Sequence, residues 1–171
     1  MKANADPQLA VTLQGHYAGA VTRLAAFAID QAVATSAFAL GSAIVSWVLH
    51  LVTGGELTWN PSPWITGLLF FFWLFLYYAY PWSVSGKTFG MAVLGIRVVR
   101  ADGAPATPRN GVLRTLALPL SFLTLGIGFV PIITGRHRRA LHDMIAGTAV
   151  VYAWDARAAR LRFLARHQPT E

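Results

Sequence analysis

Residues 23–52 read RLAAFAIDQAVATSAFALGSAIVSWVLHLV, and this hydrophobic stretch decides the fold. It begins with Arg23 and contains a single acid, Asp30. A charge placed in hydrocarbon costs several kcal/mol and is rarely there without a role. The spacing of the two residues is almost two helical turns, so both side chains lie on one face, roughly 10 Å apart along the axis. We therefore expect a membrane helix whose charged face is turned away from lipid.

The charged face continues along the helix through small residues. From Asp30, steps of four, three and four positions reach Ala34, Ala37 and Gly41, and small residues let a second helix approach closely. The span could begin at either of two positions. Residues 31–52 could cross a bilayer alone, since about 20 residues suffice, and Asp30 would then lie near the headgroups. A start at Leu24 would place Asp30 deeper.

The composition supports an integral membrane protein of one domain. Of the 171 residues, 55% are hydrophobic and 12% are charged, against about 25% charged in an average soluble domain, and the mean hydropathy is +0.49. The absence of cysteine excludes disulfides and Cys-based metal or iron–sulfur sites. The net charge of +7 is better explained by membrane orientation and anionic lipid than by nucleic acid.

A signal peptide is the competing interpretation of this first segment. Ala37-Phe38-Ala39 resembles a cleavage site, but the apolar run continues well past it and Asp30 interrupts the apolar core that a signal needs. We therefore divide the chain into a polar tail (residues 1–16), a membrane domain (17–153) and a basic tail (154–171). The basic tail has the pattern of an amphipathic helix on a membrane surface.

A second span is predicted over residues 64–82, which contain no Asp, Glu, Lys or Arg. The link before it carries Glu56 and neither Lys nor Arg, whereas the section after it is basic. The positive-inside rule then places the basic section and the N-terminus in the cytoplasm. Two strand-like runs follow, at residues 94–101 and 148–153, and Asp102-Gly103 is typical of a turn.

A third apolar segment, residues 115–134, has two interpretations. A full crossing would put the seven arginines that follow it outside, against the positive-inside rule. A re-entrant hairpin avoids this, with Gly126-Ile127-Gly128 as its turn and Pro119 and Pro131 breaking its halves, because irregular backbone is tolerated at membrane depth where protein covers it. We favour the hairpin, which also brings the two strand-like runs to one face, where they can pair.

Every candidate residue has a structural alternative. Arg23 could merely extend its charge to the lipid headgroups, and Asp30 could be satisfied by a polar neighbour in the bundle. Asp143 follows a run of arginines and could be an ion pair or a helix cap, and the neighbouring His142 could titrate near neutral pH or be structural. Arg97 could bind lipid phosphate or belong to a solvated basic face. Gly86-Lys87-Thr88 is no phosphate-binding loop, since Pro81 stands where that motif needs glycine, although Gly86 and Gly90 predict close packing.

Enzymatic chemistry finds no support in the sequence. There are no paired carboxylates, no nucleophile elbow and no metal-ligand spacing among the five histidines. We therefore predict no enzyme, no cofactor and no metal, and a lipid-modifying enzyme is the least favoured reading.

Taken in order, the motifs resemble the RDD family of bacterial membrane proteins, over about residues 17–152. The quoted matches are Gly19-x3-Arg23-Leu24-x2-Phe27-x2-Asp30, then Ser85-Gly86-Lys87-Thr88-x-Gly90-Met91-x2-Leu94-Gly95-Ile96-Arg97-Val98-Val99 with Asp102-Gly103, and Leu141-His142-Asp143-x3-Gly147-Thr148-x-Val150-Val151. Phe89 departs from a position where proline is frequent. The resemblance implies a multi-pass protein of the bacterial cytoplasmic membrane, with Arg23, Asp30 and Asp143 as defining residues, and transport of small solutes or ions has been suggested for the family.

The predicted fold is an all-α integral membrane protein, a small transmembrane helical bundle of two full spans and a third re-entrant or spanning segment, with a short cytoplasmic β pair. In the leading hypothesis it transports a solute or ion, coupled to protons or sodium. Asp30 is then the ion-binding carboxylate, Arg23 favours its ionised form, and Asp143 closes the site from the cytoplasmic side. Two spans cannot enclose a solute path, so this requires an oligomer.

The rival hypothesis is a membrane scaffold or accessory subunit. There Arg23, Asp30 and Asp143 form one buried charge network that only holds the fold together. The expected partners in either case are the lipid bilayer with its anionic lipids and a second copy or another membrane protein, and not nucleic acid.

Overall fold

The computed structural model describes residues 17–153 and is mostly helical, with one small antiparallel sheet. Helices α1 (Ala20–Val52) and α2 (Pro63–Val84) are long and apolar enough to cross a membrane. Only 6% and 11% of their most apolar windows are buried, whereas the core helix of a soluble protein would be covered. The tails predicted at residues 1–16 and 154–171 lie outside the described residues.

Helix α1 begins earlier than the apolar run predicted. It starts at Ala20, after Gly19 in extended backbone, and continues for 33 residues, a length of about 50 Å at 1.5 Å per residue. Arg23 therefore lies in the first turn, and Asp30 lies about 15 Å along the helix. Because the helix starts before Leu24, Asp30 is well inside it.

The small-residue face of α1 is only partly a packing face. Ala26, Asp30 and Ala34 are buried, but Ala37 and Gly41 are exposed, and no atom among the described residues lies within 4 Å of a Cβ built on Gly41. The predicted contact stripe thus ends at Ala34. Its partner is the short helix α3 (Phe89–Val93).

Two glycines bring α3 and the sheet against the spans, as their spacing predicted. A Cβ on Gly90 would stand 2.2 Å from the carbonyl oxygen of Ala26 in α1. A Cβ on Gly86, whose φ is +71°, would stand 2.6 Å from the carbonyl oxygen of Val98. Both contacts are backbone to backbone, so neither position has room for a side chain.

The two strand-like runs pair, which confirms that prediction. Strands β1 (Ile96–Arg100) and β2 (Thr148–Tyr152) are antiparallel, with Val98 opposite Val150. The chain before α1 adds to the same sheet, because the Ala18 N–H donates to the Val150 carbonyl at 3.0 Å. The buried sheet face joins Tyr78, Trp82 and Met91 in the main hydrophobic core.

The third apolar segment is a bent helical hairpin. It comprises α4 (Pro108–Leu123), a 3-10 turn (Ile127–Phe129), α5 (Val130–Thr134) and α6 (Leu141–Ile145). The turn lies where predicted, with Gly126 at φ +83°, and no part of the segment qualifies as a spanning helix among the described residues. Because β2 follows it and pairs with β1, the segment returns to the end of the fold from which it left.

Two details of this hairpin were predicted wrongly. Pro119 lies inside α4 and does not break it, because a proline removes one backbone hydrogen bond and the bonds beyond it persist, such as Thr124 N–H to Leu120 at 3.1 Å. The helix also begins before residue 115. Thr107 and Asn110 form a capping box there, which starts a helix in polar sequence.

Candidate functional site: two buried carboxylates beside one cavity

Asp143 lies in the first turn of α6 and is fully buried between two arginines. Arg23 of α1 donates from Nη1 to Oδ2 at 2.6 Å, and Arg114 of α4 donates from Nη1 to Oδ1. The Ala140 N–H, at the N-terminus of α6, donates to Oδ2 at 2.9 Å. Both structural alternatives predicted for Asp143, ion pair and helix cap, are therefore present, and we call Asp143, Arg23 and Arg114 the Asp143 cluster.

The two guanidiniums of the Asp143 cluster determine the ionisation of Asp143. Burial raises the pKa of Asp143, but the Arg114 and Arg23 guanidiniums lower it further, so the net pKa is well below its ordinary value. Burial lowers the pKa of Arg114, and the Asp143 carboxylate opposes that shift. The carboxylate is thus ionised at neutral pH and faces two cations, which leaves an excess of positive charge at a buried position.

His142 is neutral in this environment. Burial lowers its pKa to about 3, and the nearby Arg114 charge adds to the effect. Its Nδ1 shares a 2.9 Å hydrogen bond with the Ser121 hydroxyl, and its ring lies edge-on to Phe129. The 3.5 Å separation of Nε2 from Asp143 is consequently not an ion pair at pH 7, and titration near neutral pH, the alternative raised by its sequence, does not occur.

Asp30 is buried in a different kind of environment. Its Oδ1 accepts from the Tyr77 hydroxyl at 2.8 Å and from the Gly90 N–H at 2.7 Å, and its Oδ2 accepts from the Thr88 hydroxyl at 2.5 Å. We call these three neutral donors the Asp30 shell. Asp30 forms no ion pair with any side chain in the part of the chain that the structure describes, since Arg23 is bound to Asp143.

The structure therefore brings two of the three defining residues into contact and holds the third apart. Arg97, a residue of β1, belongs to neither the Asp143 cluster nor the Asp30 shell. Its Nη2 donates instead to the Ser85 carbonyl at 3.2 Å. Sequence reasoning missed Arg114. Its signal was available in the stripe of small and polar residues on α4, formed by Gly111, Arg114, Thr115, Ala117 and Ser121, all of which are buried.

One cavity of about 560 Å³ connects the two regions. Its charged lining residues are Arg23, Asp30 and Arg114. His142, Tyr78 and Trp82 add polar groups, and the rest of its wall is predominantly aliphatic and aromatic. Within residues 17–153, no cluster of three His, Cys, Asp or Glu side chains could hold a metal ion. The chemistry available at the cavity is thus charge and hydrogen bonding beside hydrocarbon.

Comparisons with known proteins agree with the family resemblance of the sequence motifs around Arg23, Asp30 and Asp143. The model of the RDD family matches residues 17–147. The uncharacterized protein YckC of Bacillus subtilis (strain 168) is 30% identical over 128 residues, covering 67% of this chain and 81% of YckC. The uncharacterized protein YxaI of the same organism is 38% identical over 65 residues, covering 38% of this chain and 42% of YxaI. No solved structure matches. With Arg23, Asp30 and Asp143 all in the matched region, this chain belongs to the RDD family.

Proposed function

We propose that this protein is a non-transporting membrane accessory subunit, in which the buried charges hold a cytoplasmic cap on two membrane spans. The observation that carries the proposal is that the protein itself supplies hydrogen-bond donors to both oxygens of each carboxylate. Every oxygen of Asp30 and Asp143 already accepts a hydrogen bond from the protein. A cation would have to compete with these donors, which come from several elements of the fold.

The proposed orientation follows from the distribution of charge. Arg23, Arg114 and the paired strands lie at one end of the two spans, whereas the connection between the spans carries Glu56 and no Lys or Arg. The positive-inside rule assigns the basic end to the cytoplasm. A tag inserted between Gly54 and Gly55 should be accessible from outside intact cells, and a C-terminal tag should not; the reverse labelling would overturn this orientation.

The accessory role is tested by combining ion dependence with flux. We expect Asp30→Asn and Asp143→Asn each to lower the thermal midpoint in detergent by the same amount in sodium, potassium or lithium. Proteoliposomes of the wild type should show no ion flux above protein-free vesicles. Stabilisation by one cation that disappears in Asp30→Asn, together with flux, would replace the accessory role with transport.

Transport is the second candidate because of the cavity. A space of about 560 Å³ with Asp30 and two arginines on its wall is within the roughly 300–1,000 Å³ range of small-molecule sites. Two spans do not enclose a path across a bilayer, so this function requires an oligomer. Cross-linking in native membranes that captured only monomers would remove it.

A further inference from the structure

Four buried side-chain donors on residues beside the cavity are not satisfied by the protein. Arg23 Nε and Nη2, Arg114 Nε and Trp82 Nε1 are buried and find no acceptor within the described part of the chain. All three residues line the cavity, and the Arg23 and Arg114 side chains are only 9% and 3% exposed. Buried donors without acceptors are costly, so the presence of such donors on three residues of one cavity indicates a place for an acceptor.

The geometry of Arg23 specifies the kind of acceptor. Its Nη1 is bound to Asp143, which leaves free the edge formed by Nε and Nη2. That edge is the fork with which arginine binds carboxylate or phosphate through two parallel hydrogen bonds. Arg114 lies on the other side of Asp143, with its guanidinium carbon 4.5 Å from the centre of the Trp82 ring.

Charge also favours an anion beside these arginines. The Asp143 cluster contains two cations and one carboxylate, and His142 beside it is neutral. Asp30 lines the same cavity but lies roughly 10 Å away along α1, with its oxygens taken by the Asp30 shell. A second anion beside the arginines would balance the buried positive charge.

The residues at the mouth of the cavity indicate whether the anion enters from the lipid or from water. Val21, Leu24 and Ile133 line the cavity and are 82%, 69% and 76% exposed, so they form its rim. All three are aliphatic and lie beside the first turns of a spanning helix. A freely soluble anion would have to enter past hydrocarbon, whereas the alkyl chain of a lipid would occupy it.

We propose that this cavity binds one anionic phospholipid, with its phosphate on the free edge of Arg23 and on Arg114 and Trp82, and with an acyl chain along the apolar wall. Four unsatisfied donors on three residues suit the terminal phosphate of phosphatidic acid, which has three acceptor oxygens, better than a carboxylate with two. Arg23 lies in the first turn of α1, at the end of the span, where lipid phosphates normally lie.

The test uses the full chain in neutral detergent and native mass spectrometry. Dioleoyl phosphatidic acid should bind at one site about tenfold or more tightly than dioleoyl phosphatidylcholine. Sodium phosphate and sodium oleate, which separate headgroup from chain, should each fail to protect the protein against heating, whereas phosphatidic acid should protect it. Equal binding of the two lipids, or equal protection by sodium phosphate or by oleate, would overturn the proposal.

Two tryptophan variants locate the site without touching the arginines. Ile133→Trp should narrow the mouth and weaken phosphatidic acid binding by about tenfold. Ile127→Trp is the matched control, because Ile127 is 68% exposed in the same hairpin but does not line the cavity. Arg23→Gln should abolish the preference for phosphatidic acid where that variant folds. Equal weakening by both tryptophan variants, or unchanged binding in Ile133→Trp, contradicts the site.

Discussion

Asp30 and Asp143 are both buried acids within the region that matches the family, but the protein surrounds them in opposite ways. Asp143 lies between two guanidiniums, and Asp30 accepts hydrogen bonds from two hydroxyls and one amide. Removal of the charge of Asp143 leaves two buried cations without a counter-ion. Removal of the charge of Asp30 leaves neutral dipoles that can partly reorient. Two acids that look alike in sequence therefore differ in what their loss exposes.

The largest effect should come from Asp143→Asn. Loss of one partner from a buried ion pair costs about 3–5 kcal/mol, because Arg23 and Arg114 are then unpaired in the core. Thermal or denaturant unfolding in detergent measures this loss. Asp102→Asn is the control, since its pair with Arg100 is solvent-exposed and such pairs contribute about 0–1 kcal/mol. Similar losses in both variants would mean that the Asp143 cluster has no special weight.

Gly90→Ala should be the next most destabilising change. Its Cβ would meet the Ala26 carbonyl oxygen at 2.2 Å and the Asp30 carboxyl carbon at 3.0 Å, so α3 must move away from α1 and disturb the Asp30 shell. Overpacking of this kind costs about 1–3 kcal/mol. The matched control is Gly41→Ala, because Gly41 lies in open space on α1. This change should be neutral or slightly stabilising, as alanine favours a helix over glycine. A tolerant Gly90 would show that the contact between α1 and α3 is loose.

Asp30→Asn should cost less than Asp143→Asn, about 1–3 kcal/mol, since it weakens hydrogen bonds without stranding a buried charge. Tyr77→Phe, which removes one donor of the Asp30 shell, should cost less again. The order of the three thermal midpoints is the measurement. If Asp30→Asn proved more damaging than Asp143→Asn, the contrast between charged and neutral stabilisation would be wrong.

Between pH 7 and pH 6 the smallest effect is a pH dependence from His142, which grows as the pH falls further. Its pKa is lowered from 6.5 to about 3 in the folded protein, so below pH 6.5 the unfolded chain takes up a proton that the folded chain does not. The contribution of His142 to the free energy of unfolding should be fully present above pH 6.5. It should fall towards pH 3, by at most about 1.4 kcal/mol per pH unit for one proton.

His142→Asn should flatten this slope, which thermal midpoints between pH 7 and pH 4 would show. His50→Asn, at the exposed last turn of α1, serves as control and should retain it. An unchanged slope in His142→Asn would assign the dependence to other groups. Asp143 adds its own loss only below pH 3.8, because its folded pKa is depressed and its contribution disappears as the pH falls from 3.8 to that lower pKa.

The sequence was sufficient for features that depend on local pattern. Both long helices, the strand pair and the turn at Gly126 follow from hydropathy, period and glycine placement. The return of the third segment followed from the charge rule, and that return brings Asp143 to Arg23. Each of these depends on the order of residue types along the chain.

The partners of each acid could not be predicted, because they depend on which helix faces which. In the sequence, Arg114 is one of several arginines in a basic section. Only the packing of α4 against α6 singles it out as a partner of Asp143. Thr88 and Gly90 reach Asp30 only because Gly90 lets α3 lie directly on the backbone of α1. Pro119 was misjudged because one lost hydrogen bond does not end a helix that is well capped and packed elsewhere.

The contact between Arg23 and Asp143 joins residues 120 positions apart, which has a consequence for biosynthesis. Ribosomes add roughly 5–20 residues per second, so the first span waits on the order of ten seconds, with Arg23 unpaired, before Asp143 has been made. During that interval Arg23 lies in α1 without its carboxylate, although Tyr77, Thr88 and Gly90, which bind Asp30, have already been made. A chain that stops before residue 140 lacks Asp143 and therefore leaves both Arg23 and Arg114 without their counter-ion.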